Sequence, residues 1–244
     1  MTTRTTPGRE HPDEIRGMFN AIAPTYDVLN HLLSFGLDIR WRRKAISFLA
    51  GKRHGIFLDI AAGSGDVSLD LFALKPSLVV GADFAREMLR VFQQKLNKRS
   101  HVDTIGLVCC DAHELPFRDD TFDGTIVAFG IRNFSDRARS LREMHRVLRP
   151  GGLAVILELS QPTSPVVAQL YRFYGAVVLP LLGMIISRHT SAYKYLPSSI
   201  REFPPQSEFV ELMRSAGFED VRATALSFGA ATIFVGTKPT PRLG

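Results

Sequence analysis

Apolar residues along this chain form two alternating patterns, short continuous runs and longer stretches with a helical repeat. Short apolar runs are typical of strands buried on both faces of a parallel sheet, and a repeat at every third or fourth position is typical of amphipathic helices. The predicted strands are 56–60, 78–82, 107–110, 124–129 and 153–157. The predicted helices are 42–50, 66–74, 86–96 and 137–148, the last ended by Pro150. Because the two kinds of element alternate, the pattern predicts a mostly parallel sheet with helices on both faces.

The two ends of the chain differ from this alternating part. Residues 221–228 and 232–237 are strand-like runs joined by a short turn, which predicts an antiparallel hairpin. Residues 1–13 are polar and show no apolar signal segment, so we expect a disordered lead-in there. With 244 residues in the chain, 45% of them hydrophobic, we expect residues 14–240 to form a single domain.

A turn of small residues follows the first predicted strand. Gly63 and Gly65 would let the backbone approach a ligand, and the helix predicted after them would point its electropositive N-terminus at that ligand. Asp83, 18 residues after Gly65 at the end of the second predicted strand, is placed to bind a ribose diol. This layout predicts a nucleotide site, with a plain strand–turn–helix unit as the alternative.

The acidic residues near this turn favour one class of nucleotide. The chain has no phosphate-binding Gly-Lys-Ser/Thr run after the strand, and Ser68 stands where a dinucleotide fingerprint has its third small residue. Asp59 and Asp66 bracket the loop, and their charges suit the sulfonium and amino groups of S-adenosylmethionine better than a pyrophosphate. Asp111, at the end of the third predicted strand, is placed to read an adenine amino group, with a turn or cap role as the alternative. With Asp83, these positions follow the motif order of methyltransferases.

Segments spread over the whole chain resemble one family of methyltransferases. They are 26–30, 34–36, 41–42, 58–66, 82–83, 111–117, 129–134, 146–152 and 157–160. Over residues 19–238 the chain resembles the demethylmenaquinone/ubiquinone C-methyltransferases of quinone biosynthesis, most specifically at 26–30 and 130–133. The resemblance implies a Rossmann-like class I methyltransferase fold with a seven-stranded sheet. It also implies an N-terminal helical lid at 14–50 and a substrate-side insertion at 165–205.

The resemblance further implies S-adenosylmethionine-dependent C-methylation of a prenylated demethylquinol. Demethylmenaquinol is the expected substrate, and the ubiquinone precursor stays open. The predicted cofactor-binding residues are Ser64, Asp83, Asp111, Ala112, Asp59, Gly63 and Gly65. Relatives often have Thr at the position of Ser64 and Asn at that of Asp111, so the adenine contact is chemically altered here. No metal site is predicted.

Methylation of a hydroquinone carbon requires the oxyanion, because an ionised hydroxyl pushes electron density onto the adjacent ring position. An unperturbed phenol has a pKa of about 10, and a cation within ~4–6 Å would lower that pKa by ~1–3 units. Arg132 is therefore the predicted stabiliser of the oxyanion, and Asn133 is predicted to bind the second quinol oxygen. Tyr26, in the predicted lid, is the third predicted catalytic residue. The alternatives are a charged surface loop for the first two and a packed core residue for Tyr26. No general base is evident.

Charge and hydropathy bear on the partners of the protein. The net charge is +6, and six Arg and Lys residues at 40–53 flank Trp41, which predicts peripheral binding to an anionic membrane surface, with a solvated helix as the alternative. The apolar stretch 175–186 is shorter than the ~20 residues of a membrane span, so it is either core or the wall of a prenyl-tail channel. Cys109 and Cys110 would point to opposite faces of a strand, so we expect no disulfide between them. A chain without disulfides suits a reducing cytoplasm, which is the expected compartment. Attachment at the inner face of the cytoplasmic membrane is left open.

Two other functions compete with this one. The first is methylation of another lipophilic or phenolic small molecule. The second, prompted by a pI of about 9.6, is an RNA-binding protein or RNA methyltransferase. The chain lacks the stripe of basic residues interleaved with aromatic ones that nucleic-acid binding would require, so we expect no nucleic-acid partner. The oligomeric state stays open, with a homodimer among the alternatives.

Overall fold

A computed structural model describes residues 12–99, 103–161, 169 and 190–241 of the chain. Seven strands form one sheet in the order β3-β2-β1-β4-β5-β7-β6. They are β1 (Ile56–Ile60), β2 (Leu78–Asp83), β3 (Ile105–Cys109), β4 (Phe122–Ala128), β5 (Leu148–Leu159), β6 (Glu219–Leu226) and β7 (Ala231–Thr237). The pairs from β3 to β5 are parallel, and β7 runs antiparallel to both β5 and β6. The predicted fold class, a mostly parallel sheet with a C-terminal antiparallel hairpin, is confirmed.

Eight α-helices are described around this sheet. They are α1 (Pro12–Ile22), α2 (Tyr26–Leu33), α3 (Leu37–Ser47), α4 (Asp66–Asp70), α5 (Arg86–Asn97), α6 (Arg137–Val147), α7 (Thr190–Glu202) and α8 (Gln206–Ser215). Consecutive strand residues point to opposite faces of the sheet, so each neighbouring pair of buried residues feeds two different cores. The core on the α3 face contains Phe57, Val79, Ile126 and Val155. The core on the α6 and α8 face contains Leu58, Val80, Val127 and Ile156.

Two predicted boundaries are wrong for physical reasons. Pro150 does not end a helix, because α6 already ends at Val147 and Pro150 lies inside β5. Phe122 pairs with Leu148 and Gly124 with Leu153, so β5 carries extra residues there, and such an irregularity tolerates a proline that has no N–H to donate. The predicted helix 66–74 is α-helical only to Asp70 and continues as a 3-10 turn.

Some predicted segments fall partly or wholly outside the described residues. The apolar stretch 175–186 lies outside them, so core and tail channel both stay open. Of the predicted lead-in, residues 1–11 also lie outside, whereas residues 12 and 13 already belong to α1, so the lead-in is at least two residues shorter than predicted. None of the helices within the described ranges is long and apolar enough to cross a bilayer.

Candidate functional site

A pocket lies at the carboxyl ends of β1, β2, β3 and β4, beneath the N-terminal helices. It has about 790 Å³ of empty volume, part of it open to solvent. One side, which we call the strand-end wall, consists of Gly63, Asp83, Asp111 and Ala112. The other side, the helical wall, consists of Ile15 and Phe19 of α1, Tyr26 of α2 and Asn133 of the 3-10 turn Ile131–Asn133. The pocket therefore brings together six of the ten residues predicted from the sequence.

The two loop glycines have different structural reasons. Gly63 has φ +55° and lines the pocket, where an added Cβ would meet only the Tyr26 ring, at 3.8 Å. Gly65 has φ +89°, and a Cβ there would lie 2.1 Å from the Phe92 ring of α5. Gly63 thus leaves backbone open to a ligand, whereas Gly65 lets the loop pack on α5. Gly65 does not line the pocket, so its position supports a packing role and not the predicted direct contact with the cofactor.

Asp83 is held by main-chain donors at the edge of the pocket. The N–H of Gly63 donates to Oδ2 at 2.8 Å, and the N–H of Ala85 donates to Oδ1 at 2.7 Å. Burial raises the pKa of Asp83 to about 6, although these hydrogen bonds oppose the shift. Each carboxylate oxygen keeps a further lone pair, so Asp83 can still accept the two hydroxyls of a ribose.

The bracketing acids do not face the pocket, which corrects the charge argument made from the sequence. Asp59 is buried under the loop, where Oδ2 accepts the Ser68 hydroxyl at 2.6 Å and Oδ1 has no partner among the described residues. Burial raises the pKa of Asp59 to about 7. Asp66 is neutralised by Lys95 at 2.7 Å and by Arg42 at 3.4 Å. Asp59 therefore supports the loop from behind, and the acids that line the pocket are Asp83 and Asp111.

Ser64, another predicted cofactor residue, also turns away from the pocket. Its hydroxyl donates to the Asp27 carboxylate of α2, and the other oxygen of Asp27 lies 2.6 Å from Lys95 Nζ. Ser64 thereby links the glycine loop to the N-terminal helices. Asp111 is more exposed and accepts both the N–H of His113, at 2.9 Å, and its ring Nδ1, at 2.5 Å. Those contacts orient the Asp111 carboxylate at the mouth of the pocket.

Arg132 lies behind the helical wall, which corrects its predicted exposure to a substrate. Its side chain is 7% exposed, and Nη1 lies 2.7 Å from Oε1 of Glu158, a fully buried carboxylate. The main-chain N–H of Arg132 donates to Glu158 Oε2 at 3.0 Å, and Nη1 also donates to the Phe129 carbonyl. The guanidinium charge is therefore already compensated. Glu158 was missed, although a lone carboxylate in an apolar strand is itself a sign of a buried partner.

Asn133 and Tyr26 both line the pocket, as a role at the substrate would require. Asn133 Oδ1 accepts the hydroxyl of Tyr195, a residue of α7, at 2.9 Å. Burial raises the pKa of Tyr26, while a hydrogen bond from Asn30 and the charge of Arg132 oppose that shift. Tyr195 was missed because no local pattern connects it to a turn 62 residues earlier.

The residues present fit S-adenosylmethionine. The strand-end wall offers a carboxylate at the expected ribose position, side-chain-free backbone at Gly63 and a second carboxylate at Asp111 beside the small Ala112. Ile60, Ala82 and Met88 add apolar surface for an adenine ring. Within the described ranges, no three His, Cys, Asp or Glu side chains are grouped so as to hold a metal ion.

Solved structures with low sequence identity share the fold. The [4+2]-cyclase SpnF aligns with a TM-score of 0.67 at 15% identity, covering 96% of this chain and 98% of its own. A phosphoethanolamine N-methyltransferase of Haemonchus contortus, solved with S-adenosyl-L-methionine, aligns with a TM-score of 0.56 at 17% identity, covering 76% of this chain and 49% of its own. At such identities the likeness concerns the fold alone.

Sequence relatives are much closer. The profile of the ubiE/COQ5 methyltransferase family matches residues 8–238. A ubiquinone/menaquinone biosynthesis C-methyltransferase of Geobacter sp. is 47% identical over 94% of this chain and 98% of its own length. A demethylmenaquinone methyltransferase of Thermus thermophilus is 45% identical over 91% of this chain and 100% of its own length. The predicted resemblance and the predicted cofactor are thereby confirmed. The chain belongs to the ubiE/COQ5 methyltransferase family and is an S-adenosylmethionine-dependent C-methyltransferase.

Proposed function

We propose that this enzyme methylates a ring carbon of a prenylated demethylquinol, with demethylmenaquinol as the preferred substrate and the ubiquinone precursor as a second one. The relatives named above are described as acting in ubiquinone and menaquinone biosynthesis or on demethylmenaquinone. The observation that carries the proposal is the composition of the pocket. Beside the strand-end wall, its lining is mostly apolar and aromatic, and Tyr26 and Asn133 are among the lining residues that carry polar groups. The apolar lining residues include Ile15, Phe19, Phe84, Leu115, Phe129 and Phe134.

The chain's own residues would prepare the quinol for attack. S-adenosylmethionine, when bound, supplies an electrophilic methyl group on a sulfonium. We assign Asn133 and Tyr26 to the two quinol oxygens, because both can donate a hydrogen bond and thereby stabilise an oxyanion. A raised pKa keeps the Tyr26 phenol protonated near neutral pH, so it acts as a donor. The apolar lining lowers the local polarity around these groups, which strengthens both hydrogen bonds.

Arg132 contributes from behind the wall rather than by direct contact. Its positive charge acts on Tyr26, where it opposes the rise in pKa that burial causes. The pairing with Glu158 fixes the guanidinium and the turn that carries Asn133. We therefore assign Arg132 to positioning and to the local electrostatic field, and we leave the group that accepts the quinol proton unassigned.

Anaerobic turnover assays test the substrate. Purified enzyme with S-adenosylmethionine is given demethylmenaquinol, the demethylated ubiquinol precursor or a panel of simple phenols, and methylated products are identified by mass spectrometry. We expect the highest kcat/KM for demethylmenaquinol. Transfer to a simple phenol in the absence of transfer to either quinol would favour the second candidate, a methyltransferase of other phenolic molecules.

We further propose peripheral binding to an anionic membrane surface, through some of the predicted cations but with a different aromatic residue. Trp41 is buried and donates to Ser227 at 3.0 Å, so it is no surface aromatic. Phe35, by contrast, is 75% exposed just before α3, whose Arg40 and Arg43 are exposed. An exposed phenyl ring beside exposed cations suits the boundary between acyl chains and anionic headgroups.

Flotation with liposomes containing phosphatidylglycerol tests this surface. We expect retention at low salt and release at high salt, because screening weakens the attraction. Arg40→Glu with Arg43→Glu should abolish retention, whereas Arg214→Glu with Arg222→Glu, two exposed positions on α8 and β6, should lower it much less. Equal losses in the two double variants would show that net charge alone, and not this face, causes the binding.

Four other expectations stay predictions. They are the cytoplasmic location, the lid at 14–50, the insertion at 165–205 and the lack of a nucleic-acid partner. The homodimer stays open.

A further inference from the structure

We propose that Tyr195 is a positioning residue for the methylation, which fixes the Asn133 side-chain amide so that its N–H donors face the pocket. The inference rests on the proposed function, because it deepens the role of Asn133 at the quinol. Tyr195 lies on α7 and donates to Asn133 Oδ1 at 2.9 Å. It does not itself line the pocket, whereas Asn133 does.

The contact determines which end of the amide is available. A side-chain amide has one carbonyl oxygen and one NH2 group, and rotation about its last bond exchanges them. With the carbonyl engaged by the tyrosine hydroxyl, the Nδ2 group keeps two N–H donors, and it has no partner among the described residues. A pair of donors suits an electron-rich oxygen such as a quinolate. The opposite orientation would present a carbonyl oxygen and repel the same anion.

Helix α7 contacts the 3-10 turn Ile131–Asn133 at a second point, in addition to the hydrogen bond from Tyr195. Arg132 Nε donates to the Ser199 hydroxyl at 3.3 Å. Tyr195 and Ser199 are four residues apart, so they lie on the same face of the helix. That face therefore meets two neighbouring residues of the 3-10 turn, Arg132 and Asn133. Rotation of the Asn133 amide would therefore break its hydrogen bond with the Tyr195 hydroxyl, and α7 is kept in place by both contacts.

The test compares Tyr195→Phe, Asn133→Ala and the double variant, with Ser198→Ala as the matched control. Ser198 is on the same helix, and its hydroxyl donates to the main-chain carbonyl of Tyr195. We expect Tyr195→Phe to lower kcat/KM for demethylmenaquinol about five- to tenfold, the scale of one lost hydrogen bond. Calorimetric affinity for S-adenosylmethionine and the melting temperature should stay near wild type. The control should retain wild-type kinetics.

Two readouts separate positioning from a merely structural role. The double variant should be no slower than Asn133→Ala, because Tyr195 acts through that amide, and the acidic limb of the pH–rate profile of Tyr195→Phe should move to higher pH. Effects of the two substitutions that multiply would overturn the proposal, as would equal losses in quinol turnover, cofactor affinity and melting temperature.

A binding measurement keeps this inference distinct from the proposed function. Anaerobic calorimetry with 2-methyl-1,4-naphthoquinol, in the presence of S-adenosylhomocysteine, reports the headgroup contact without turnover. Weaker binding by about five- to tenfold in Tyr195→Phe would support the role of Tyr195. A wild-type enzyme that methylates neither quinol contradicts the proposed function, whereas an active wild type with unchanged Tyr195→Phe binding and kinetics contradicts the positioning role alone.

Discussion

The two walls of the pocket are built by different kinds of contact. In the strand-end wall the decisive bonds join backbone to one side chain, as where the N–H groups of Gly63 and Ala85 hold Asp83. The helical wall depends on side chains that meet from distant parts of the chain, as in the pairs Asn133 with Tyr195 and Arg132 with Glu158. A wall made by backbone persists as long as the sheet does. A wall made by side chains is lost when either partner of a pair is replaced. One of the pairs here, Arg132 with Glu158, is also a buried ion pair.

This difference determines what substitutions do on each side. On the helical wall we expect stability and catalysis to be coupled, since Arg132, which adjoins the pocket residue Asn133, also neutralises a buried carboxylate. On the strand-end wall they separate, because Asp83 is not needed to neutralise a buried cation. Four substitutions examine the contrast, in order of decreasing effect.

Arg132→Ala should have the largest effect, and the effect should fall on stability. Removing the guanidinium leaves Glu158 buried without a counter-ion, which costs ~3–5 kcal/mol of unfolding free energy. Denaturant unfolding measures this loss. Arg132→Met combined with Glu158→Gln should recover most of it, because a glutamine carries no charge and its amide oxygen can still accept the main-chain N–H of Arg132. Full stability in Arg132→Ala would mean that the ion pair does not hold the helical wall.

Asp83→Ala should act on the cofactor and spare the fold. We expect a loss of ~1–3 kcal/mol in S-adenosylmethionine affinity, the cost of a charged hydrogen-bond partner. The unfolding free energy near neutral pH should change little, because burial already disfavours this carboxylate, as its raised pKa shows. Isothermal calorimetry and denaturant unfolding of one preparation give both quantities. Unchanged cofactor affinity would remove Asp83 from the site.

Asp59 should make the protein less stable as the pH rises. Its pKa is about 7 in the folded state and ordinary in the unfolded state, so the folded protein binds the proton more tightly. This stability is present at acidic pH and is lost as the pH rises from the unfolded pKa towards 7, by at most ~1.4 kcal/mol per pH unit. Asp83 acts in the same direction up to about pH 6, so the informative quantity is the difference between wild type and Asp59→Asn at pH 5–8. Identical slopes for the two proteins would contradict the burial effect.

Lys95→Met should have the smallest effect. Lys95 Nζ lies 2.6 Å from Asp27 and 2.7 Å from Asp66, and it thereby joins α2 to the helix after the glycine loop. Since the pairs are partly exposed, we expect a loss of only ~0.5–1 kcal/mol in cofactor affinity, and a smaller loss at high salt. Arg90→Met is the matched control, because Arg90 pairs with Glu87 on the exposed side of α5. Equal effects of the two substitutions would show that the link to α2 has no special role.

Much of the fold could be predicted from the sequence alone. The apolar runs located five strands and the terminal hairpin, and the fold class is confirmed. Motif positions also located Gly63, Asp83, Asp111, Ala112, Tyr26 and Asn133, all of which line one pocket. The positions of these strands and residues could be predicted because strand burial, turn conformation and the meeting of strand ends follow from short stretches of sequence and from one topology. The roles of the six residues stay predictions.

The direction of long or charged side chains was decided only by the tertiary structure. Asp59 and Asp66 bracket the loop in sequence, yet one is buried behind it and the other pairs with Arg42 and Lys95. Arg132 precedes the pocket residue Asn133 in sequence, yet its side chain pairs with Glu158. The backbone pattern fixes where such a residue starts, whereas its charge goes to the best-matched partner that folding brings within reach. Arg132 and Glu158, for example, are 26 residues apart in the chain, so no local pattern could join them.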